Sequence, residues 1–416
     1  MPLLFFGITP KNIKGYLRPY RNNLCLPLLS VTFADMKLAV LGAGKMGRAL
    51  AYDFCRQGDV TQVTLLEENP KSLKEAVGFV KNRKLKAVRA DLSNPSRIAR
   101  LTKGHTVITS ALPYFLNLSA NRAAIQNRAH FVDLGGNDGV VATQRKLDKT
   151  AKKARVAVIP EVGLAPGLAS ILACGGMREL DAVEEIHMRV GGLPLHPKPP
   201  LNYQAVFSLD GLINEYVEPS KVLKDGKLVS LASMGGLEEL HFPEPFGKME
   251  AFYTSGGAAA LPEMLKGRVK ELDYKTIRYP GHAEKIRAGI EMGLASQTEI
   301  TIGKANVAPR AVWIKLLSEL LPKTGPDVIL LRVWLDGFKD GRKTRLTYEM
   351  MEKADSKFTA MMKATAFPAS IISLLLARGE ISQSGALRQE EAVPLQKFIA
   401  ELETRGLRIQ SKFEAI

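Results

Sequence analysis

The sequence predicts an α/β protein with two sheets. One is a doubly wound parallel sheet; the other belongs to a second, α+β domain with a mixed or antiparallel sheet. Three observations predict this. Short apolar strands alternate with helices over the first third of the chain, a glycine-rich turn joins the first strand to the first helix, and after about residue 180 strands follow one another through turns. A length of 416 residues, at roughly 150 residues per domain, is consistent with two to three domains.

Lys37 to Leu41 opens the alternation as a β-rich run. It leads into Gly42-Ala-Gly44-Lys45-Met46-Gly47, then a helix over Arg48 to Arg56, then a second strand, Val63 to Leu66, ending in Glu67. A lone G-x-G-x-x-G is weak evidence. Between strand and helix, with an acidic residue twenty positions on, it is the Rossmann dinucleotide fingerprint. Gly42 permits the tight turn, Gly44 lets backbone approach a pyrophosphate, and Gly47 lets helix and sheet pack closely. The N–H groups at the helix start, around Lys45 and Met46, are the anion site. Glu67 is placed to accept hydrogen bonds from ribose hydroxyls and to repel a 2′-phosphate. NAD is therefore expected over NADP, although Lys71 and Lys74 nearby soften that preference.

A helix over Lys71 to Lys81 follows, then four more strands. Leu85 to Ala90 ends at Asp91, and Val107 to Thr109 ends in Ser110-Ala-Leu112-Pro113-Tyr114. Phe131 to Leu134 ends in Gly135-Gly136-Asn137, and Val156 to Ile159 ends in the loop containing Gly163. Ligands bind beyond the carboxyl ends of such strands, so Asp91, Ser110, Leu112, Pro113 and Gly163 join the cofactor-binding candidates.

Glu184 to Val190 reads as the first strand of the second domain, and Gly191 to Pro200 as a proline-stiffened loop. A helix over Gly211 to Glu218 comes next, then strands over Met249–Tyr253, Tyr274–Tyr279 and Thr298–Ile302. Val328–Leu335 and Thr344–Met350 form a hairpin around Asp340-Gly341. The last helical stretch, Phe358 to Arg378, is expected to break at Pro368. The resulting division is 1–35, 36–165, 166–355 and 356–416. Residues 1–35 imitate a signal peptide, with Lys11, Lys14, Arg18 and Arg21 ahead of an apolar stretch. Met36 then opens a nucleotide-binding strand, so the segment is expected to lie upstream of the true start.

The composition narrows the classes. Apolar residues make up 46% and charged residues 24%, an ordinary globular balance. No apolar run approaches the ~18 residues of a membrane span, so no membrane partner is expected. Three spaced cysteines, Cys25, Cys55 and Cys174, suit neither a disulfide framework nor a zinc site, and the histidines lack metal-ligand spacing. No metal is expected. The net charge of +16 is scattered rather than gathered with aromatics, which argues against nucleic acid. A cytoplasmic protein is expected. A homodimer or higher oligomer is also expected, to cover the exposed faces of the second sheet.

Further motifs carry a resemblance: DLGGN around Asp133, EVGLAPG around Gly163, VGGLP at Val190–Pro194, PPLNYQAVFSLDGLINEY at Pro199–Tyr216, IRYPGH at Ile277–His282 and FPAS at Phe367–Ser370. With GAGKMG, they make the chain from Met36 onward resemble the saccharopine dehydrogenase family, and within it the lysine 6-dehydrogenases. That resemblance implies NAD-dependent oxidation of the ε-amine of L-lysine to allysine, which cyclises, with release of ammonia. It also implies a C-terminal segment packed back on the cofactor domain. The sibling activity forms or cleaves saccharopine. An alternative of another class is a non-catalytic NAD(H)-binding regulatory protein.

Oxidising an amine requires a proton acceptor and an anchor for the far carboxylate. Arg278 is the candidate anchor, on one strand face with Tyr274 and Thr276; the alternative is a solvated arginine. His282, at a helix start after Gly281, is a candidate base or a helix-cap residue. Asp133 either assists proton transfer or caps the Gly135-Gly136 turn. Tyr114, Tyr203, Ser208, Thr254, Ser255 and Tyr279 are candidate substrate contacts. Arg189 and Arg310 are possible second carboxylate anchors. Trp313 and Trp334 read as core or subunit interface.

Overall fold

The computed structural model describes residues 35–205 and 208–416; the segment up to Ala34 lies outside them. Its first sheet contains β1 (Met36–Leu41), β2 (Val60–Glu67), β3 (Leu85–Arg89), β4 (Val107–Ser110), β5 (His130–Asp133) and β6 (Ala157–Ile159). The short strand Gly385–Ala386 extends it, in the order Gly385–Ala386, β6, β5, β4, β1, β2, β3. Every pairing is parallel. Leu38 to Leu41 are all fully buried, as expected where helices cover both faces. Strand order reverses between β1 and β4, which puts the turn at Gly42 in the crevice where such sheets bind ligands.

The second sheet is mixed. It is built from β7 (Ala182–Pro194), β8 (Ser220–Lys224), β9 (Lys227–Leu231), β10 (Glu238–Phe242), β11 (Gly247–Tyr253) and β12 (Glu271–Arg278). A separate small hairpin, β13 (Ile300–Ile302) with β14 (Ala305–Val307), precedes β15 (Asp327–Lys339) and β16 (Arg342–Lys353). The path runs β10, β11, β12, β7, β15, β16 and the C-terminal strand Gln410–Ala415, with β8 and β9 attached beside β12. Only the β7–β12 pair is parallel. The β15–β16 turn is Asp340-Gly341, with φ of +52° and +72°, as a two-residue primed turn requires.

Two expectations need correction. Gly191 to Pro194 continue β7 rather than form a loop, because β15 pairs with them as far as Asp327↔Pro194. Gly191 has no side chain because the Ile277 carbonyl oxygen stands 2.7 Å from where a Cβ would lie. The C-terminal helix runs unbroken from Ala360 to Ala377 through Pro368. Fifteen of its 18 residues are buried, and that packing outweighs the missing hydrogen bond. Among the described residues this helix alone is long and apolar enough to span a membrane, yet 83% of it is buried as the central helix of the fold.

That helix returns to the first sheet. Ser373 Oγ lies 2.8 Å from Thr109 Oγ1, and Ser370 donates to Asp53 on the Lys45–Arg56 helix. One core cluster, including Leu38, Val132, Met188, Leu331 and Ile372, runs from the first sheet through this helix to the second.

Candidate active site

The cofactor half follows from the glycines. Gly42 has φ of +92°, and a Cβ there would stand 2.9 Å from the Ala111 carbonyl oxygen. A Cβ on Gly47 would stand 1.8 Å from the Gly42 carbonyl oxygen, so the helix can approach the turn only without one. At Gly44 a Cβ would meet nothing within 4 Å. Gly44 caps the Lys45–Arg56 helix with no side-chain bond, and no acidic residue lies in the first turn. Lys45 and Met46 therefore open a helix start that faces free space, as a pyrophosphate needs.

Glu67, at the end of β2, accepts from the Ala43 N–H at 2.7 Å and the Asn69 N–H at 2.8 Å. Its carboxylate thus stands against the glycine turn. Ser110 donates to Asn117 Oδ1 at 2.8 Å and shapes the turn running to Pro113. Leu112 packs beside Gly42, and Gly163 donates its N–H to the Pro166 carbonyl at 3.0 Å. Asp91 Oδ1 accepts from the N–H and hydroxyl of Ser93 and holds the turn after β3.

Asp133 is fully buried and satisfied from within the fold. It accepts from the Gly135 N–H at 2.7 Å, the Gln144 amide at 2.6 Å and the Glu161 N–H. Of its two readings, the turn-holding one matches this geometry. Burial raises its pKa. Glu161 beside it was not singled out from the sequence. It sits at the carboxyl end of β6 in the left-handed region, with φ of +66°, a strained backbone that accumulates at functional sites. Burial pushes its carboxyl up to about 7, against the pull of Arg145. Tyr114 stands over Gly136 at the same end of the sheet and is partly exposed.

The candidate substrate contacts of the second domain centre on Arg278. Alternation along β12 places Tyr274, Thr276 and Arg278 on one face and Asp273 and Lys275 on the other, where they pair with Arg189 and Glu238. Arg278 is buried rather than solvated. Its Nε donates to Tyr216 Oη at 3.0 Å, and its guanidinium lies 4.8 Å from the Tyr203 ring centre. Burial opposes its charge, but Tyr216, Tyr203 and Glu215 outweigh burial and keep it protonated.

Proton positions in the next links are forced by chemistry. His282 Nδ1 lies 3.0 Å from the Leu201 carbonyl oxygen, which can only accept, so Nδ1 carries the proton. Nε2 then accepts from Tyr216 Oη at 3.1 Å, and Tyr216 accepts in turn from Arg278. Burial, then the Arg278 charge, pushes the His282 pKa down to about 3. Both ring nitrogens are engaged in a buried chain, so His282 holds Tyr216 and through it Arg278. This corrects its reading as a base.

Thr254 shares a 2.7 Å hydroxyl contact with Thr276, which lies on the same face of β12 as Arg278. Tyr203 lies face-on beneath the Arg278 guanidinium, with burial raising the phenol pKa. Two candidates fall elsewhere. Tyr279 packs with the Leu193–Ile277 cluster and donates to the Pro194 carbonyl at 2.9 Å, and Ser208 is the exposed cap of the Leu209–Val217 helix. Ser255 accompanies that helix, its N–H donating to the Glu215 carbonyl at 3.0 Å. The possible second anchors are already occupied. Arg189 binds Asp273 and Glu238, and Arg310 binds Asp210 and Asn214. Trp313 lies in the core, and Trp334 stacks on His187 at 4.9 Å.

A Rossmann-type sheet with a glycine-turn dinucleotide cradle, joined to a second domain on a mixed sheet, defines a pyridine-nucleotide-binding protein. Two family models match. Saccharopine dehydrogenase NADP binding domain covers residues 38–159, and Saccharopine dehydrogenase C-terminal domain covers residues 163–407. The chain belongs to the saccharopine dehydrogenase family.

Among curated relatives, the mitochondrial alpha-aminoadipic semialdehyde synthase of Mus musculus is 25% identical over 248 residues, 54% of this chain and 25% of that protein. The Saccharomyces cerevisiae saccharopine dehydrogenase [NADP(+), L-glutamate-forming] is 23% identical over 297 residues, 68% of this chain and 63% of that protein. The chain thus spans less than two thirds of the curated relatives it matches. The solved apo saccharopine dehydrogenase (L-Glu forming) from Saccharomyces cerevisiae superimposes with a TM-score of 0.76 at 18% identity, over 91% of this chain and all of that one, and shares its fold.

Proposed function

We propose that this family member catalyses NAD-dependent oxidative deamination of the ε-amine of L-lysine, yielding allysine and ammonia. One observation carries the reading. Among the described residues three arginines are buried. Arg189 and Arg310 are consumed by carboxylates, and only Arg278 has no carboxylate oxygen within 4.0 Å. One available buried cation suits a substrate with one carboxylate. Saccharopine carries two more on its glutamate portion.

Gly42, Gly44, Gly47 and the N–H groups at Lys45 and Met46 would hold the dinucleotide's phosphates, with Glu67 at the adenosine ribose favouring NAD. The bound nicotinamide cofactor supplies the hydride acceptor. Arg278 binds the α-carboxylate, held by Tyr216 and, behind it, His282. Glu161, poised near neutrality on the cofactor side, takes the proton from the substrate amine.

Saccharopine oxidation is the second reading, favoured by the names of the relatives above. The deciding experiment offers NAD and NADP with L-lysine and with saccharopine to the purified protein, following reduced cofactor and ammonia. Turnover of lysine with NAD is expected. Turnover of saccharopine alone would transfer the protein to the sibling activity. Cofactor binding without turnover of either would leave the regulatory reading.

A further inference from the structure

The mixed sheet ends on an open edge. Its last strand, Gln410–Ala415, pairs antiparallel with β16 in an unbroken register from Thr344↔Ala415 to Glu349↔Gln410. No strand among the described residues pairs with its other side, and all six of its residues are exposed. The Ile416 N–H donates to the Lys343 carbonyl at 3.2 Å, so Glu414, Lys412 and Gln410 also turn their backbone groups toward β16. The N–H and C=O of Ser411, Phe413 and Ala415 therefore point outward, away from the sheet. A free edge of this kind recruits another strand, and proteins blunt it with proline, a bulge or charge. This strand carries no proline and no bulge, and its two charges are of opposite sign: Lys412 and Glu414, 2.6 Å apart.

The strand is complementary to itself. When two copies pair antiparallel about a two-fold axis, the outward groups match only if odd-numbered residues face odd-numbered ones. An axis at Phe413 sets Lys412 opposite the partner's Glu414, and Glu414 opposite the partner's Lys412. Moving the axis one residue either way, to Lys412 or to Glu414, would oppose two lysines or two glutamates, so charge selects Phe413. The charges then extend a ladder already built inside the chain. Asp336 stands opposite Arg345, which donates to it at 2.6 Å, and Arg345 stands opposite Glu414. The partner's Lys412 would come next, so the sign alternates across four strands. On the other face, Phe413 is exposed, with Lys339 Nζ 4.2 Å from its ring centre, and would meet the partner's Phe413.

We propose that the outer edge of the Gln410–Ala415 strand is the interface between two copies of this chain, joining their mixed sheets into one continuous sheet across a two-fold axis at Phe413. This pairing is independent of which amine the enzyme oxidises.

Sedimentation velocity on the full chain tests it. Lys412→Glu would oppose glutamates at both ends of the pair, and Glu414→Lys would oppose lysines. Each variant alone should weaken self-association at least about tenfold and shift the sedimenting species toward half its mass. An equimolar mixture of the two should restore the original mass, because the acidic strand of one variant then faces the basic strand of the other. That recovery also shows that neither variant has lost its fold. Phe413→Pro removes an N–H that points to the free edge, so it should separate the copies with the far-ultraviolet circular dichroism unchanged. A wild-type protein that sediments as a monomer would overturn the proposal. So would an assembly whose mass both charge variants and Phe413→Pro leave unaltered, or charge variants that are folded by circular dichroism yet stay apart when mixed.

Discussion

Removing the hydroxyl of Tyr216 tests the central chain of the pocket. Tyr216→Phe keeps the ring that packs against Phe252 and His282 and deletes only Oη. Oη accepts from Arg278 Nε at 3.0 Å and donates to His282 Nε2 at 3.1 Å. Both partners are buried, so water does not replace the lost bonds. Each stranded group costs about 1–3 kcal/mol, and the charged guanidinium sits at the upper end, so destabilisation of about 2–4 kcal/mol is expected. Arg278 remains held by the Ile277 carbonyl at 2.9 Å and keeps its charge but loses its aim. The KM for the carboxylate-bearing substrate should rise about tenfold, corresponding to ~1.4 kcal/mol of lost binding. Urea unfolding and steady-state kinetics measure the two effects. A variant with unaltered midpoint and unaltered KM would show that the hydroxyl bridge holds nothing.

Four further outcomes are expected. Gly47→Ala would place a Cβ 1.8 Å from the Gly42 carbonyl oxygen, so NADH binding followed by fluorescence should be lost with the rest of the fold intact; normal binding would contradict the close helix approach. Glu67→Ala should weaken NAD by roughly tenfold and narrow its margin over NADP, and an unchanged cofactor ratio would remove Glu67 from the selection. Glu161→Gln should lower kcat and abolish the ionisation near pH 7 in its pH profile, whereas persistence of that limb would assign the proton to another group. His282 is depressed from 6.5 to about 3, so between those values the unfolded chain takes up a proton that the folded chain refuses. Stability should therefore fall as pH drops from 6.5 toward 3. His282→Asn should flatten that slope, and urea midpoints at pH 7 and pH 5 that shift equally in both proteins would rule out the buried neutral ring.

The cofactor domain was legible in the sequence because its signals are local. Strand, Gly42-Gly44-Gly47 turn, helix and Glu67 lie within one βαβ unit, and Gly42 and Gly47 each answer a steric demand from residues close by or at the adjacent strand end, while Gly44 leaves free space at the helix start. The pairing of Tyr274, Thr276 and Arg278 on one face followed from the strand period alone. Elements whose conformation depends on distant partners were misread. Gly191–Pro194 looks like a loop until β15 supplies its ladder, and Pro368 looks like a break until a buried helix surrounds it. Strands β8, β9 and β10 carry polar, partly exposed residues, so their pattern is too weak to read from the sequence.

At the site, residue type and spacing determined which side chains could carry chemistry: a glycine cradle, an acidic residue after β2, and an arginine and a histidine around one Pro-Gly turn. The tertiary structure decided which partners each of them meets. It brings Tyr216 and Leu201, 66 and 81 residues away, onto the two nitrogens of His282 and so converts a candidate base into a support. It consumes Arg189 and Arg310 with carboxylates from other strands and helices and leaves Arg278, among the described residues, with no carboxylate oxygen within 4.0 Å. Proton state and available charge depend on burial and on partners far along the chain, and only the folded arrangement supplies both.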